Sequence, residues 1–226
     1  MFVSYLWAIY PPMMATLALS FPTPSADNSG DPICHSKGIG AFANADNFTL
    51  AAYSTSKTNN NFTGSPIVLS SVGDGDLYYL STWASSPNND LSTFSLVNGT
   101  IIPLEQNLNT TNIKTVPTPD GDVVSFTNAN ITQDSSNSDP VYCGTMEALT
   151  PARIVGRNRL NIAGGADIAV FPHLAYNGDD SSFSLCQSND GGNWNAVVYK
   201  ARDNVANSSY DFSTCNSVKL RILDLI

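Results

Sequence analysis

The clearest structural signal in the chain is an alternation of apolar and polar residues that runs from Phe94 to Leu104 and is interrupted by Asn98-Gly99. A period of two is typical of a half-buried strand. Asn-Gly readily adopts the two positive φ angles of a tight hairpin turn. The segment therefore predicts a β-hairpin.

Weaker copies of the hairpin pattern recur along the chain. One lies at Ala152–Ile162, and another forms if the last strand, Ser217–Leu223, pairs with the first, Phe48–Tyr53. The spacing of roughly 50 to 60 residues indicates three repeats of one structural unit. Pairing of the two terminal strands would also remove an exposed apolar edge.

Short runs rich in β-branched and aromatic residues, separated by turn residues, fill most of the remaining chain, and no segment has a convincing helical period. They form three units of about four strands each, with surplus strands at Val141–Thr145 and Ile168–Phe171 interpreted as an insertion. We predict an all-β, β-trefoil-like barrel of about twelve short strands. A β-sandwich is the alternative.

The charge balance argues against two classes of partner. Charged residues make up 13% of the chain, only ten are Lys or Arg, the formal net charge is −9 and the sequence pI is about 4.3. Nucleic acids and anionic membrane surfaces are recognised by clustered Lys and Arg, so neither is expected as a partner.

The N-terminus has the composition of an export signal. Phe2–Leu19 is apolar and almost uncharged, and Ala18-Leu19-Ser20 supplies small residues before a possible cleavage ahead of Phe21. A membrane anchor is the alternative, but Pro11-Pro12 leaves fewer than the ~20 unbroken apolar residues that span a bilayer.

These patterns divide the chain into residues 1–20 as a signal peptide, residues 21–46 as a disordered Pro/Gly-rich leader, and residues 47–226 as a single all-β domain. The mature protein is expected to be a monomer that is secreted, either extracellular or in a cell wall, with no membrane partner after the signal is removed.

An even number of cysteines in an exported chain predicts disulfide bonds. Four cysteines allow three pairings. Cys186–Cys215 is favoured because it joins neighbouring late strands, which leaves Cys34 with Cys143. Free buried thiols are the alternative.

Six sequons for N-glycosylation are compatible with secretion but are not independent support for it, because chance alone predicts nearly as many. Asn98 is also the hairpin asparagine, so the turn is sufficient reason for its presence. The candidate sites are Asn47, Asn61, Asn98, Asn109, Asn130 and Asn207.

Catalytic patterns are weak. His35 and His173 are far apart in sequence, and no serine lies in a nucleophile-elbow motif. Most aspartates neighbour Gly, Asn, Ser or Pro, which is typical of turns rather than of a paired-carboxylate site. No catalytic residue, cofactor or metal ion is expected.

Carbohydrate binding has a modest positive case, because sugar rings stack on aromatic faces while amides and carboxylates bind the hydroxyl groups. Two loops carry that combination. One holds Trp83, Asn89 and Asp90, and the other holds Asp190, Asn193 and Trp194. In the alternative interpretation, both tryptophans cap the core at strand ends.

The end of the chain contains three short segments in a distinctive order: Phe183-Ser-Leu-Cys186, Val197-Val-Tyr199 and Cys215-Asn-Ser-Val-Lys-Leu220. With these segments, the order of the strands resembles that of small secreted fungal cell-wall proteins, of the phialide-associated and IgE-binding type and of the C-terminal domain of yeast PIR mannoproteins. Relative to those proteins, Asp167–Ser181 is interpreted as inserted. The resemblance implies a non-catalytic protein. The repeats that anchor the yeast mannoproteins are absent here, so covalent wall attachment is not implied.

The leading interpretation is thus a secreted, extracellular or cell-wall-associated, non-catalytic protein whose partner is a cell-wall glycan. A protease inhibitor of the trefoil type is the alternative, because plant inhibitors of this type are two-disulfide trefoils of similar size. A hydrolase with loop-borne catalytic residues is the third hypothesis.

Overall fold

The computed structural model describes Cys34 and residues 41–59, 61–72, 77–86, 91–104, 113–128, 141–145, 159–161, 167–169, 171–189, 194–203 and 209–224. The predicted signal peptide, and the predicted leader apart from Cys34 and residues 41–46, lie outside these residues. The first strand already begins at Ala45, inside the segment predicted as leader, because Ala43 and Ala45 are buried and Phe42 pairs with Gly144.

Most of the described residues lie in β-strands, which confirms the predicted all-β class. The strands are β1 (Ala45–Ser54), β2 (Ser65–Val72), β3 (Leu77–Thr82), β4 (Thr93–Val97), β5 (Thr100–Leu104), β6 (Ile113–Thr115), β7 (Asp122–Val123), β8 (Ser125–Asn128), β9 (Tyr142–Thr145), β10 (Arg159–Asn161), β11 (Asp167–Ala169), β12 (His173–Tyr176), β13 (Phe183–Ser188), β14 (Asn195–Tyr199) and β15 (Tyr210–Asp224). A single turn of 3-10 helix, Trp83–Ser85, follows β3.

Six strands close into an antiparallel barrel in the order β1, β2, β3, β14, β13 and β15. The last strand completes the barrel by pairing with the first, from Phe48 opposite Asp224 to Ser54 opposite Val218. The predicted pairing of the terminal strands is confirmed, and closure leaves neither of them as a free edge. Phe48, Leu50 and Ala52 lie on one face of β1 and enter the core.

The predicted hairpin is β4–β5, in which Asn98 and Gly99 have φ angles of 49° and 78°, as its tight turn requires. Of the second copy of the repeat, only residues 159–161 are described, and they pair with β11 in a separate two-stranded sheet. Three of the barrel strands, β1 to β3, come from the start of the described chain, and the other three, β13 to β15, come from its end. The predicted threefold repeat therefore does not supply two barrel strands from each of three units.

The remaining strands extend the sheet away from the barrel. β4 joins β1, β8 joins β3 and β6, and β12 lies between β15 and β9. Aromatic rings fill the interior beside them: Tyr142, Tyr176 and Tyr199 contact one another in sequence at centroid distances of 5.0 and 4.9 Å.

Both predicted disulfides are present, which excludes the free-thiol alternative. The Cα atoms of Cys34 and Cys143 are 5.8 Å apart, and those of Cys186 and Cys215 are 4.1 Å apart. Disulfides persist in oxidising environments, so the pair indicates an extracellular type of compartment. Within the part of the chain that the structure describes, no helix is long and apolar enough to span a bilayer.

Candidate functional site

The strand order brings several loops to one end of the barrel, here named the mouth. Because all six strands are antiparallel to their neighbours, the ends of β1, β3 and β13 meet the starts of β2, β14 and β15 there. The β1–β2 loop (residues 55–64), the helical turn after β3 and the start of β14 therefore surround one opening. The β4–β5 hairpin lies at the opposite end.

A cavity of about 370 Å³ opens at the mouth, within the roughly 300–1,000 Å³ typical of small-molecule sites. Ala52, Leu185 and Val218 form its apolar part. Strand positions two residues apart share a face, so the inward positions nearest the mouth on β1, β2, β14 and β15 should line its rim. All four are polar: Ser54, Ser65, Asn195 and Asn216.

The β1–β2 loop forms one wall of the cavity and is held by its own side chains. Asn59 pairs with the backbone of Ser54 in both directions: its Oδ1 accepts from the Ser54 N–H at 2.8 Å, and its Nδ2 donates to the Ser54 carbonyl at 2.9 Å. Asn61 Oδ1 accepts from the Gly64 N–H at 2.6 Å. These bonds fix the loop, and with it the amide groups that line the mouth.

Gly64 ends the loop in a conformation that other residues avoid. Its φ is +107°, and a Cβ built there would lie 2.5 Å from the carbonyl oxygen of Ala52. The close approach of the two backbones places the loop directly over β1.

The two predicted carbohydrate-binding loops are brought together at the mouth. The Ser85 Oγ, two residues after Trp83, accepts a hydrogen bond of 2.9 Å from the backbone N–H of Asn195, which follows Trp194. Trp83 is 53% exposed. Trp194 is half-buried and stacks on Tyr79 with a centroid distance of 5.4 Å. Trp83 thus offers a ring face to solvent, whereas Trp194 mainly packs.

The other four residues predicted for these loops, Asn89, Asp90, Asp190 and Asn193, lie outside the described residues. Four further residues of the mouth were not predicted from the sequence: Asn195, Asn216, Ser54 and Ser65. They could be found only from the register of the barrel, since a polar residue at an inward position is informative only once the inward face is known.

The described sequons are divided between the two ends of the barrel. Asn61 lines the mouth cavity, whereas Asn47 and Asn98 lie near the opposite end, both with positive φ. Asn109, Asn130 and Asn207 are outside the described residues. A glycan on Asn61 would lie beside the mouth, and glycans on Asn47 or Asn98 would lie far from it.

One cluster of ionisable groups lies away from the mouth. The buried His173 places its Nδ1 3.5 Å from Asp180 Oδ2, and Lys219 Nζ is 3.8 Å from the same oxygen. This contact lies where β12 packs beside β15, so His173 is a packing residue with a carboxylate neighbour. His35 is outside the described residues. Within the described ranges, no group of three or more His, Cys, Asp and Glu residues is placed to hold a metal ion.

Comparison of the chain with protein-family models, with curated proteins and with solved structures found no match. The mouth of the barrel is therefore interpreted from its own chemistry.

Proposed function

We propose that this protein is a secreted, non-catalytic β-barrel that binds a neutral cell-wall polysaccharide at its mouth. The observation that carries the proposal is the cavity itself, in which amides and hydroxyls surround an apolar floor. A sugar ring presents both kinds of surface, with hydroxyl groups at its edge and C–H groups on its faces. Amide and hydroxyl side chains can donate to and accept from each hydroxyl group.

The small number of charged residues at the mouth supports a neutral ligand, and an exposed tryptophan beside it supports a sugar. Lys57 is the one charged residue among the described residues that line the cavity. Trp83 stands exposed at the same end of the barrel and is held there through Ser85 and Asn195. An exposed tryptophan near converging amides matches the combination that sugar stacking needs.

Location in a cell wall rests on three supports. The two disulfides indicate an oxidising compartment. The N-terminal segment has the composition of an export signal. The strand order resembles that of small fungal cell-wall proteins.

The proposal is tested by incubating the purified, oxidised protein with insoluble chitin and insoluble β-1,3-glucan and measuring the retained fraction. We expect retention on at least one polysaccharide, competition by its soluble oligosaccharide, and no release of soluble saccharide. Asn195→Ala should weaken retention, whereas Val97→Ala, at the hairpin end of the barrel, should not. Retention on neither polysaccharide, together with tight inhibition of a serine or cysteine protease, would transfer support to the inhibitor hypothesis.

A further inference from the structure

The most exposed large apolar side chain among the described residues is Phe62, in the β1–β2 loop, with 70% of its surface exposed. Its ring is nevertheless braced. It stacks on Phe171 with a centroid distance of 6.1 Å and an interplanar angle of 28°. One face of an apolar ring is therefore held open to water by a defined neighbour.

Arg221 supplies the rest of the support. Its guanidinium lies 3.4 Å from the ring centroid of Tyr53 and 5.6 Å from that of Phe171, and its Nη1 donates a hydrogen bond to the carbonyl of Phe62. Cation–π contacts with two rings and a charge-assisted hydrogen bond fix the position of the loop backbone. The position of Phe62 is thus determined by β1 and β15 as well as by its own loop.

A shallow groove beside Phe62 shares part of its lining with the mouth cavity. Tyr53, Thr55 and Phe62 line it on the outer side of the β1–β2 loop. Its other lining residues, among them Lys57, Asn59 and Asn61, also line the mouth cavity. The two openings therefore share part of the β1–β2 loop as a common wall.

We propose that Phe62 is the stacking platform of a second subsite, so that the ligand is an extended neutral glycan chain of at least two sugar units. One unit would lie in the mouth and the chain would cross the amides of the loop to reach Phe62. This inference rests on the proposed function and adds the length of the ligand to it. The mixture of one bare ring with amides and hydroxyls fits a sugar better than an apolar peptide, which would need a contiguous apolar patch.

The test is a length series. Chito-oligosaccharides and β-1,3-gluco-oligosaccharides of one to six units are titrated calorimetrically into the oxidised protein, produced in a host that does not add N-glycans, so that Asn61 carries none. We expect affinity to rise with length beyond one unit. Phe62→Ala should lower affinity for the longer oligomers roughly five- to tenfold and leave the affinity for the single unit unchanged.

Matched variants separate ring stacking from loop collapse. Phe62→Tyr should keep the wild-type length dependence, and Phe62→Leu, which retains apolar bulk without a flat ring, should behave like Phe62→Ala. Phe212→Ala removes another exposed ring, one that lines neither opening, and should change nothing. Unfolding curves verify that each variant is folded.

The outcomes distinguish this inference from the proposed function. Affinity that is independent of length, or full affinity in Phe62→Leu, would overturn the second subsite and leave binding at the mouth standing. Wild-type protein that binds neither oligomer series nor either insoluble polysaccharide would overturn both.

Discussion

A hydrogen bond between Ser85 and Asn195 joins the helical turn after β3 to the start of β14. The Ser85 Oγ accepts this hydrogen bond from the backbone N–H of Asn195 at 2.9 Å. The same hydroxyl donates to the carbonyl of Thr82 at 3.0 Å, which closes the helical turn that follows β3. Because Asn195 starts β14 and lines the mouth, this contact fixes the exposed Trp83 relative to the cavity.

Ser85→Ala should therefore weaken polysaccharide binding more than it weakens the fold. The variant removes both hydrogen bonds, and each contributes about 1 kcal/mol to the free energy of unfolding. Retention on the polysaccharide and urea unfolding are measured together. Ser213→Ala, which removes an exposed hydroxyl bonded to Asp211, is the control and should leave binding unchanged. Equal binding by both variants would contradict a positioning role for Ser85.

Gly64→Ala adds only one methyl group, but it should lower the free energy of unfolding strongly. The new Cβ would meet the Ala52 carbonyl at 2.5 Å, and φ of +107° is itself unfavourable for alanine by about 1–3 kcal/mol. Gly99→Ala is the comparison, because its Cβ would first meet the Val141 Cγ1 at 3.2 Å, the end of a side chain. Thermal unfolding should rank Gly64→Ala as the less stable, and the reverse order would show that the β1–β2 loop yields easily.

The two disulfides should be reduced in order. Cys34, Cys143 and Cys186 are buried, whereas Cys215 is partly exposed. A thiolate must reach a sulfur atom to attack it, so Cys186–Cys215 should open first under native conditions. Alkylation followed by peptide mapping at increasing dithiothreitol concentration measures this order. Early labelling of Cys34 or Cys143 would contradict it.

Loss of the Cys186–Cys215 bond should also lower stability. For a sequence separation of 29 between its cysteines, the chain-entropy model gives about 3–4 kcal/mol. The double variant Cys186→Ala, Cys215→Ala should show that loss in urea unfolding. Amide hydrogen exchange should accelerate in the C-terminal strand, β15, before it accelerates in the other strands.

Asp179 should make the free energy of unfolding decrease at acid pH. Burial opposes its ionisation, but hydrogen bonds from Ser182 and Ser181 outweigh burial and hold the pKa of Asp179 below its usual value. A pKa that is lower in the folded than in the unfolded state stabilises the fold above about pH 4, and this contribution is lost as the pH falls through the folded pKa. Asp179→Asn should remove that component of the acid dependence of unfolding.

Ser181→Ala is the matched variant, because it removes one donor and keeps the carboxylate. It should shrink the acid-dependent component without abolishing it, as measured by urea unfolding from pH 2 to pH 7. An unchanged acid dependence in Asp179→Asn would assign the effect to other carboxylates.

Features set by local alternation could be predicted from the sequence, and features set by tertiary contact could not. The β4–β5 hairpin and the pairing of β1 with β15 follow from period-two patterns and from Asn98-Gly99. Strand β12 was missed because it lies within Asp167–Ser181, the segment interpreted as inserted, and because all four of its residues are buried, so that no alternation marks it. The register between β13 and β15 shifts between Asp211 and Asn216, and this irregularity hid the first half of β15.

The candidate site was predictable only in part. Trp83 and Trp194 have aromatic and polar neighbours in sequence, but their meeting at one end of the barrel depends on β3 pairing with β14. The polar inward positions and the bracing of Phe62 by Arg221 join residues far apart in the chain, so no local pattern contains them.

Substitution of Trp194 should mainly lower stability, whereas substitution of Trp83 should mainly lower binding. Trp194 stacks on Tyr79 and packs against a cluster that includes Val198 and Tyr210, so Trp194→Ala should lower the free energy of unfolding by about 1–3 kcal/mol. Trp83 is mostly exposed, so Trp83→Ala should change stability by no more than about 0.5 kcal/mol. The same variant should lower retention on the polysaccharide, because the ring face available for stacking is lost.

Trp83→Phe supplies the control, since it keeps a flat ring and should retain most of the binding. Unfolding and retention are measured on the same preparations, which makes a loss of binding through misfolding visible. If Trp83→Ala binds like the wild type while Trp194→Ala loses binding at full stability, the assignments are reversed, and the ligand must lie on the side of the mouth formed by Tyr79 and Trp194.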